Sequence, residues 1–442
     1  MECMNTALWK SFSSAECSGV IIDSRQAAPG KLFFALKGER FDGHDFIEDV
    51  LEKGVLAVVI EKDPPAALRH KYGEKIIRVD NTVAALQQLG LTYRRTWKCP
   101  VIAITGSNGK TTTKELIQAV LSQKYRCRAT VGNLNNHLGI PLTLLSFPPD
   151  LDIAIVEMGA NHQGEIDSYC HYTEPDFGLI TNTGKAHLEG FGGLEGVIKG
   201  KTELYRYLAN RGKAVFTPDS GEALMQHSAG QQRIVYGKTD QATYTCSPGT
   251  DPDGFLTLSI LPENRQCKTH LVGHYNFDNA AAAVAVGKYF DVPTEYIALA
   301  LESYQPNNNR SQQLFWKGNE LILDAYNANP SSMMAALDNL EKINHPKKSV
   351  VLGEMMELGT ESRQEHEAIV NKVLNMSLSL RLFVGDGFAF VEKRKNCLYF
   401  PDAAALADFL NKENVTGHCI LIKGSRKNKL ETIWQNPTVT PS

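Results

Sequence analysis

The sequence lacks the features of membrane-spanning, exported and nucleic-acid-binding proteins. Its longest apolar runs, residues 55–60 and 280–286, fall far short of the roughly 18 residues that a membrane-spanning helix needs. The first residues contain neither the basic region nor the long apolar core of a secretory signal, so we expect no export. Lysine and arginine number 46 against 49 aspartates and glutamates, a formal net charge of −3 at pH 7. Because no overall positive field attracts polyanions, we expect no nucleic-acid partner.

The nine cysteines show neither a disulfide framework nor a zinc site. They are odd in number, scattered along the chain, and include no C-x-x-C pair. This distribution is typical of reduced thiols in a reducing compartment, so the predicted location is the cytoplasm. No internal repeat or low-complexity tract is present, so the domain boundaries are inferred from changes in the sequence pattern.

The sequence does contain enough apolar material for about three domains. The chain has 442 residues, of which 43% are hydrophobic, and domains commonly run to roughly 150 residues. Short strand-like runs separated by a turn-rich segment predict a small α/β domain at the start. Apolar residues recur at helical spacing over residues 82–97, which predicts a helix that ends this domain before Pro100. We place the first domain at residues 1–97.

The rest of the chain alternates strands and helices, which predicts mostly parallel sheets wrapped by helices. The second domain, at residues 98–312, starts with a strand, a glycine-rich turn and a helix, and has further buried-strand candidates at 153–156, 177–181 and 214–216. The third domain, at residues 313–442, repeats the alternation as a smaller Rossmann-like sheet, with strand candidates at 349–352, 381–384 and 419–422. The predicted fold class is therefore α/β in three domains.

The strongest local signal is the glycine-rich loop that follows the strand at residues 101–104 and contains Gly-Lys-Thr. Glycines let backbone N–H groups turn toward phosphate oxygens, and the following helix adds its positive N-terminus. Lys110 stands where it can reach the outer phosphates, and Thr111 where it can offer a hydroxyl to Mg²⁺. The loop lacks the leading glycine of the standard G-x-x-x-x-G-K-[ST] motif, and an ordinary strand-to-helix turn is the alternative. Strand, loop and helix in this order favour a nucleoside triphosphate site made of Gly106, Ser107, Asn108, Gly109, Lys110, Thr111 and Thr112.

Polar residues also follow the next two predicted strands, at the edge where parallel sheets bind ligands. Glu157 follows the run 153–156, and Asn182-Thr-Gly-Lys-Ala-His187 follows the run 177–181. Mg²⁺ prefers oxygen ligands to imidazole, so Glu157 and Thr111 are stronger candidates than His187, which could instead orient a substrate. A single glutamate or histidine in such a place is more often structural, but the neighbouring phosphate loop favours the functional interpretation.

The phosphate loop, Glu157-Met-Gly159 and Asn182-Thr-Gly-Lys-Ala-His187 together resemble the Mur ligases, the ADP-forming amide synthetases of peptidoglycan assembly. The resemblance runs through all three predicted domains and implies ATP and two Mg²⁺ ions. Two motifs near the start, Asp23-Ser-Arg25 and Asp42-Gly-His44, resemble the uridine-nucleotide-binding first domain of the family. They imply substrate contacts from Ser24, Arg25, Asp42, Gly43 and His44.

The third domain discriminates between branches of the family. Asp324-Ala-Tyr-Asn-Ala-Asn-Pro330 resembles the branch that adds D-alanyl-D-alanine to UDP-N-acetylmuramoyl-tripeptide. The sister branch, which adds a single amino acid, has Tyr-Ala-His-Thr-Pro there and a D-N-P-R motif that this chain lacks. The resemblance therefore implies a monomeric ligase that forms an acyl phosphate from the tripeptide carboxylate and transfers it to the dipeptide amine. A sister ligase, a folylpolyglutamate synthase and a P-loop nucleotide switch remain alternatives.

The resemblance also implies roles that spacing alone does not assign. Lys201, two positions before Glu203, matches a lysine that is often carbamylated in the family and helps organise the second Mg²⁺; Lys199 lies close by. Arg310 matches an arginine that reaches ATP phosphate at the junction between the second and third domains. The implied catalytic residues are Lys110, His187, Lys201 and Arg310, and the implied metal ligands are Thr111, Glu157, His187 and Lys201. Further implied nucleotide contacts are Asn276, Asn279, Asp324 and Asn327.

Two more segments are implied to contact the substrates. Asn135 and Asn136 lie in a stretch that resembles the family loop binding the muramyl peptide, although an asparagine-rich turn is an equally good interpretation. Lys423-Gly-Ser-Arg426 resembles a motif that faces the incoming dipeptide. The implied contacts there are Asn329, Lys423, Ser425 and Arg426. Glu354 and Asp386, at predicted strand ends, could meet the dipeptide amine.

Overall fold

The structure, a computed structural model, describes residues 5–251, 254–306, 309–394, 396–434 and 438–439. These residues form three sheets flanked by helices. The three-domain α/β architecture predicted from the sequence is therefore confirmed, while the boundaries at 97 and 312 stay predictions. None of the helices within the described ranges combines the length and the apolar character needed to cross a membrane.

The first sheet consists, within the described residues, of four parallel strands in the order β1-β2-β3-β4. Successive residues of a strand face opposite sides of the sheet. Leu32 and Phe34 therefore pack in one apolar cluster with helix α4 (Thr82–Arg94), and Phe33 packs in a second cluster with helix α2 (Ile47–Glu52). Both faces are covered, as is usual for parallel sheets. The elements are α1 (Thr6–Ser13), β1 (Gly19–Ile21), β2 (Lys31–Phe34), α2 (Ile47–Glu52), β3 (Ala57–Ile60), α3 (Ala66–Tyr72), β4 (Ile76–Arg78) and α4 (Thr82–Arg94), with 3₁₀ turns at Ser24–Gln26, Gly43–Phe46 and Gly73–Lys75.

The second sheet has the strand order β13-β12-β11-β10-β9-β8-β5-β7-β6 within the described residues. Strands β9 to β11 pair in parallel, whereas β11, β12 and β13 form an antiparallel meander that the sequence prediction did not include. The first part comprises β5 (Val101–Thr105), α5 (Lys110–Leu121), β6 (Cys127–Ala129), α6 (Gly139–Ser146), β7 (Ile153–Glu157), α7 (Glu165–Thr173), β8 (Phe177–Ile180), α8 (Leu188–Phe191), α9 (Leu194–Lys201) and α10 (Glu203–Ala209). The second part comprises β9 (Ala214–Pro218), α11 (Glu222–His227), β10 (Arg233–Gly237), β11 (Tyr244–Thr250), β12 (Phe255–Ile260), β13 (Arg265–Val272), α12 (Phe277–Tyr289) and α13 (Thr294–Ser303), with a 3₁₀ turn at His274–Asn276.

The third sheet has the order β18-β17-β16-β19-β15-β14-β20 in the part of the chain that the structure describes. Strands β15 to β19 pair in parallel, while β14 and β20 add an antiparallel edge. The elements are β14 (Gln312–Trp316), β15 (Asn319–Asp324), α14 (Pro330–Lys342), β16 (Lys348–Gly353), α15 (Ser362–Leu374), β17 (Leu380–Val384), β18 (Cys397–Phe400), α16 (Ala403–Lys412), β19 (Cys419–Lys423) and β20 (Thr438–Val439), with 3₁₀ turns at Gly359–Glu361, Asp386–Phe388, Arg426–Asn428 and Leu430–Ile433. This is the Rossmann-like sheet that the sequence predicts.

Backbone contacts divide the chain into two compact units. The first contains Met1–Ala103, Tyr125–Gly159 and Glu165–Phe177; the second contains Ile104–Lys124, Ala160–Gly164 and Gly178–Ser442. The motifs of the first sheet and Glu157 therefore belong to the first unit. The phosphate loop, His187 and the entire third sheet belong to the second.

Candidate active site

Two glycines shape the phosphate loop between β5 and α5. The φ angle of Gly106 is +143°, and a Cβ there would lie 1.9 Å from the Thr181 hydroxyl oxygen. Gly109 is left-handed, with φ +78°, and precedes the first residue of α5. A Cβ at Gly109 would lie 2.4 Å from Oδ1 of Asn279. Because side chains fit neither position, both must be glycine for the chain to enter α5 this tightly.

The functional side chains of the loop lie at the N-terminus of α5. The half-buried Lys110 donates from Nζ to the backbone oxygens of Gly106, at 2.7 Å, and Ser107, at 3.2 Å. Its ammonium group is thus held over the loop, where it adds to the positive end of the helix dipole. Thr111 is buried and Thr112 is half-buried in the first turn. Charge and helix dipole together make this an anion-binding end of the helix.

The segment after β8 braces the loop from one side. Asn182 accepts the Ser107 N–H on its backbone oxygen, at 2.9 Å, and the Asn108 N–H on Oδ1, at 3.1 Å. The Ser107 hydroxyl donates to the oxygen of Gly184, at 2.7 Å, and the Thr181 hydroxyl donates to the oxygen of Asn108, at 2.6 Å. The N–H groups of Ser107 and Asn108 therefore point to protein. These two donors are satisfied within the fold, a constraint on the loop that the sequence did not reveal.

Two buried asparagines brace α5 from inside. Oδ1 of Asn279 accepts the Thr113 hydroxyl at 3.0 Å, and its amide donates to Oδ1 of Asn276 at 2.9 Å. The Asn276 amide in turn donates to the oxygen of Val272 at 2.9 Å. The sequence predicts these two residues as nucleotide contacts, and the structure gives them hydrogen bonds that fix the helix after the phosphate loop.

Glu157 is the last residue of β7 and is only 1% exposed. Its N–H donates to the Thr130 hydroxyl at 2.9 Å, and its Oε1 accepts the Asn135 amide at 2.8 Å. Asn135 therefore orients the carboxylate, a contact that the sequence did not reveal. The neighbouring Asn136 accepts the N–H groups of Leu138, at 3.1 Å, and Gly139, at 2.8 Å, where α6 begins.

The donors predicted for Mg²⁺ suit a cation that is shared with phosphate. Among the described residues, no group of three or more His, Cys, Asp or Glu side chains converges on a metal position. The Thr111 hydroxyl and the Glu157 carboxylate are oxygen donors, the type that Mg²⁺ takes when substrate phosphates complete its shell. Their chemistry fits Mg²⁺ accompanying a nucleotide.

His187 pairs with a residue that the sequence analysis did not single out. It adopts a left-handed conformation, with φ +53°, immediately before α8. Its Nδ1 lies against the Glu357 carboxylate, and this contact lowers the pKa of Glu357. A backbone hydrogen bond joins the same two segments, since the Glu189 N–H donates to the oxygen of Glu357 at 3.2 Å. The only sequence signal for Glu357 is its place in the polar stretch after β16.

Lys201 and Lys199 occupy different environments on α9. Lys201 is 1% exposed, donates from Nζ to the oxygen of Ala160 at 3.0 Å, and lies 5.0 Å from the ring centre of Phe191. Lys199 is exposed. Oε1 of Glu203 accepts the N–H of Gly164 at 2.6 Å. Of the two lysines, only Lys201 therefore has a buried ammonium group.

Arg310 stacks on an aromatic ring of the third domain. Its guanidinium carbon lies 3.8 Å from the ring centre of Tyr326, and that of the exposed Arg426 lies 5.8 Å from the same centre. Residues 307–308, shortly before Arg310 in the chain, lie outside the described residues. The structure thus brings Arg310, Tyr326 and Arg426 together, although the sequence prediction assigned no role to Tyr326.

Charged groups at the carboxyl ends of β15 and β19 pair with each other. Nζ of Lys423 donates to Oδ2 of Asp324 at 2.5 Å and to the oxygen of Asn327 at 3.4 Å. Ser425 is buried, and its hydroxyl donates to Oδ1 of Asn428 at 2.9 Å. Asn327 is exposed. Lys423 and Ser425 thus have protein partners, whereas Arg426 and Asn327 face solvent.

The ends of β16 and β17 carry the two acidic candidates for the dipeptide amine. Oε2 of Glu354 accepts the N–H of Gly387 at 3.0 Å, and Oε1 lies 3.4 Å from Nζ of Lys427. Asp386 is exposed. The buried His366, which the sequence did not reveal, accepts the Met355 N–H on Nε2 at 3.0 Å, and burial lowers its pKa.

Asn329 connects the third sheet to the phosphate loop. Its Oδ1 accepts the N–H of Ser332 at 2.9 Å and so caps α14. Its amide donates to Oδ1 of Asn108 at 2.7 Å. Nearby, the Lys185 N–H donates to the Ser331 hydroxyl at 2.8 Å, and Nζ of Lys185 donates to Glu365 at 2.5 Å. Asn329, which the resemblance predicts as a substrate contact, therefore also bonds to the phosphate loop.

The motifs of the first sheet form local networks. Asp23 binds Arg25 at 2.6 Å, which lowers the pKa of Asp23 to about 2, while the Arg25 side chain is 88% exposed and Ser24 is half-buried. The Asp42 carboxylate accepts a hydrogen bond from Nδ1 of His44 at 2.6 Å and forms an ion pair with Lys62. Of its contacts, the one with Lys62 contributes most to lowering the pKa of Asp42.

The ring of His44 is held at both nitrogens. Nε2 of His44 accepts the Glu61 N–H at 3.1 Å, while the Gly43 N–H donates to the oxygen of Leu36 at 2.8 Å. These bonds fix the turn at Gly43–Phe46, in which the His44 side chain is only 6% exposed.

Three family descriptions match consecutive parts of the chain. "Mur ligase family, catalytic domain" matches residues 16–94, "Mur ligase middle domain" matches residues 104–287, and "Mur ligase, glutamate ligase domain" matches residues 309–426.

Curated relatives are similar along nearly the whole chain. One from Bacillus subtilis (strain 168), named UDP-N-acetylmuramoyl-tripeptide--D-alanyl-D-alanine ligase, is 34% identical over 433 residues, which cover 96% of this chain and 93% of that protein. A relative of the same name from Escherichia coli (strain K12) is 33% identical over 430 residues, covering 94% and 92%.

Solved structures give the same likeness in three dimensions. MurF from Acinetobacter baumannii has a TM-score of 0.84 and 32% identity, covering 94% of this chain and 92% of that chain. The MurF ligase from Thermotoga maritima in complex with ADP has a TM-score of 0.82 and 26% identity, covering 94% and 96%.

Proposed function

Because this chain belongs to the Mur ligase family, we propose that it joins D-alanyl-D-alanine to UDP-N-acetylmuramoyl-tripeptide, forming UDP-N-acetylmuramoyl-pentapeptide, ADP and phosphate in peptidoglycan synthesis. The observation that carries this proposal is the recurrence of one ligase name among relatives that match 94–96% of the chain at 33–34% identity. The Asp324–Pro330 motif and the phosphate loop support the proposal, since both resemble motifs of this branch of the family. We place the reaction in the cytoplasm and expect a monomer.

The reaction starts with a carboxylate that is a poor acyl donor until it is phosphorylated. Its attack on the γ-phosphate of ATP brings two anions together, so positive charge at the phosphates lowers the barrier. We assign this role to Lys110 and Arg310. Lys110 already lies over the loop, 2.7 Å from the oxygen of Gly106, and would exchange this carbonyl for phosphate. The dipeptide amine then attacks the acyl phosphate, and phosphate leaves.

The Thr111 hydroxyl and the Glu157 carboxylate are the groups we propose to hold Mg²⁺. When bound with ATP, Mg²⁺ offsets part of the phosphate charge. Asn135 keeps the Glu157 carboxylate oriented through its 2.8 Å hydrogen bond. The Nδ1 atom of His187 lies against Glu357. We propose that the other ring nitrogen, Nε2, binds the metal or positions a substrate.

Lys201 is proposed, as in the family, to be carbamylated and to support a second Mg²⁺. Its buried ammonium group distinguishes it from the exposed Lys199. We expect protein incubated with ¹³C-bicarbonate to show a carbamate carbon signal by NMR. The signal should disappear in Lys201→Arg and persist in Lys199→Arg. Persistence in Lys201→Arg would contradict the assignment.

The substrates are assigned to the motifs at the sheet edges. We propose that Ser24, Arg25, Asp42, Gly43 and His44 recognise the uridine nucleotide, and that Asn135 and Asn136 lie beside the muramyl peptide. Asp324 and Asn327 are proposed nucleotide contacts. Lys423, Ser425 and Arg426 are proposed to meet the dipeptide. Because Lys423 is paired with Asp324 at 2.5 Å, its contribution requires an exchange of partners.

The hydrogen bond from Asn329 to Asn108 can be tested separately from the cap that Asn329 provides for α14. Asn329→Ser keeps an oxygen that can cap α14 but is too short to donate to Asn108. Because one hydrogen bond contributes roughly 0.5–1.5 kcal/mol, we expect ADP to bind about 2- to 10-fold more weakly, with little change in thermal stability. Calorimetric titration and thermal unfolding measure the two effects.

Asn329→Ala provides the comparison. It removes both bonds, so we expect the same loss of ADP affinity together with a lower melting temperature, because loss of a helix cap typically costs about 1 kcal/mol. If Asn329→Ser binds ADP as the unchanged protein does, the bond to Asn108 does not support the loop.

The proposed function is tested by phosphate release from purified protein with Mg·ATP and UDP-N-acetylmuramoyl-tripeptide. D-alanyl-D-alanine is compared with single amino acids, and the product is identified by mass spectrometry. Dipeptide-dependent release and a UDP-pentapeptide mass are the expected result. A product with one added amino acid would indicate a sister ligase, and turnover without any amine would indicate a nucleotide switch.

A further inference from the structure

Tyr326 touches the linker between the second and third sheets in two ways. Its ring centre lies 3.8 Å from the guanidinium carbon of Arg310, and its N–H donates to the oxygen of Asn309 at 3.3 Å. The ring is half-buried in the segment that connects β15 and α14. Side chain and backbone of one residue therefore hold the same stretch of the linker.

The buried Nε of Arg310 is not oriented by a hydrogen bond, since this atom has no hydrogen-bond partner among the described residues. At 3.8 Å, the separation of guanidinium and ring is that of close contact. A guanidinium that stacks on an aromatic face keeps its in-plane N–H groups available for an anion. The Tyr326 ring thus fixes the plane of Arg310 without occupying its donors.

Arg426 lies near the same ring, 5.8 Å from its centre. It follows β19 and is exposed. The negative face of an aromatic ring attracts cations within about 6 Å. One tyrosine thereby links the arginine assigned to ATP phosphate with an arginine assigned to the incoming dipeptide.

We propose that Tyr326 is a positioning residue for ligation, whose ring sets the orientation of Arg310 toward the transferred phosphoryl group. This inference rests on the proposed function, because the role of Arg310 does. In this proposal the Tyr326 ring orients Arg310 in addition to packing against its neighbours. Phenylalanine retains the ring, whereas leucine and methionine retain apolar bulk without a π face.

The first test compares Tyr326→Phe with Tyr326→Leu and Tyr326→Met. We expect the phenylalanine variant to stay within about two-fold of the unchanged protein in kcat/KM for ATP. The two aliphatic variants should fall about 5- to 30-fold, because a cation–π contact of this kind contributes roughly 1–2 kcal/mol. The KM for UDP-N-acetylmuramoyl-tripeptide should remain within about two-fold, which a general disruption of the fold would not allow. Two aliphatic variants are included so that one remains if the other fails to fold.

The second test combines Tyr326→Leu with Arg310→Lys. Lysine keeps the charge but loses the plane that the ring orients. If the ring acts through Arg310, the double variant should be no slower than Arg310→Lys alone. Effects that multiply, or aliphatic variants with unchanged kcat/KM, would overturn the inference.

Failure of this inference is distinguishable from failure of the proposed function. If the unchanged protein ligates no dipeptide, the proposed function fails, and the affinity for a non-hydrolysable ATP analogue becomes the readout. Equal losses of analogue affinity in Tyr326→Leu and Arg310→Lys would still support the positioning of Arg310. Unchanged affinity in Tyr326→Leu, beside a loss in Arg310→Lys, would overturn it.

Discussion

We expect Lys110→Ala to lower dipeptide-dependent phosphate release by about 10²- to 10³-fold, the usual loss on removal of one electrostatic group from a transition state. The half-buried side chain donates to the backbone oxygens of Gly106 and Ser107, at 2.7 and 3.2 Å. Phosphate is a stronger partner for an ammonium group than a carbonyl oxygen is, and the two reacting anions are closest during transfer.

The folded state should tolerate Lys110→Ala. Gly106 and Gly109 set the course of the loop, and Asn182 holds it through the N–H groups of Ser107 and Asn108. We therefore expect an almost unchanged melting temperature. Lys238→Ala, at an exposed lysine of the same compact unit, is the matched control and should retain full turnover. Near-normal turnover in a folded Lys110→Ala protein would refute the phosphate role.

The elements that could be predicted are those specified by neighbouring residues. The phosphate loop is recognisable because strand, glycines, lysine and helix are consecutive, and the parallel strands are recognisable because both of their faces are apolar. The meander β11 to β13 was missed although β12 alternates half-buried and buried positions from Phe255 to Ile260. Alternation over six residues is a weak signal when the search is for continuous apolar runs.

The partners of the candidate site could not be predicted, because they meet only in the folded chain. Glu357 pairs with His187, and Asn329 bonds to Asn108, across separations of 170 and 221 residues in sequence. No local spacing encodes such contacts. Conversely, burial obliges the amides of Asn276 and Asn279 to form internal hydrogen bonds, a structural role that the motif match did not indicate.

The second large effect is expected for Glu157→Gln. Glutamine has nearly the same shape and retains an oxygen that can accept the Asn135 amide, so the replacement removes charge while preserving the 2.8 Å contact. Mg²⁺ binds carboxylates far more strongly than amides. We expect turnover at fixed Mg²⁺ to fall about 10²-fold, and the Mg²⁺ concentration for half-maximal rate to rise at least about 10-fold.

Asn135→Ala separates charge from orientation. It leaves the Glu157 carboxylate in place and removes the amide that bonds to it, and loss of such a supporting bond typically costs about 10- to 100-fold in metal affinity or activity. The two variants should therefore shift the Mg²⁺ dependence in the same direction, with Glu157→Gln the more severe. Glu222→Gln, on α11, provides a control for loss of an exposed carboxylate. If Glu157→Gln slows turnover without changing the Mg²⁺ dependence, Glu157 acts on the substrates, and the assigned metal ligand must lie elsewhere.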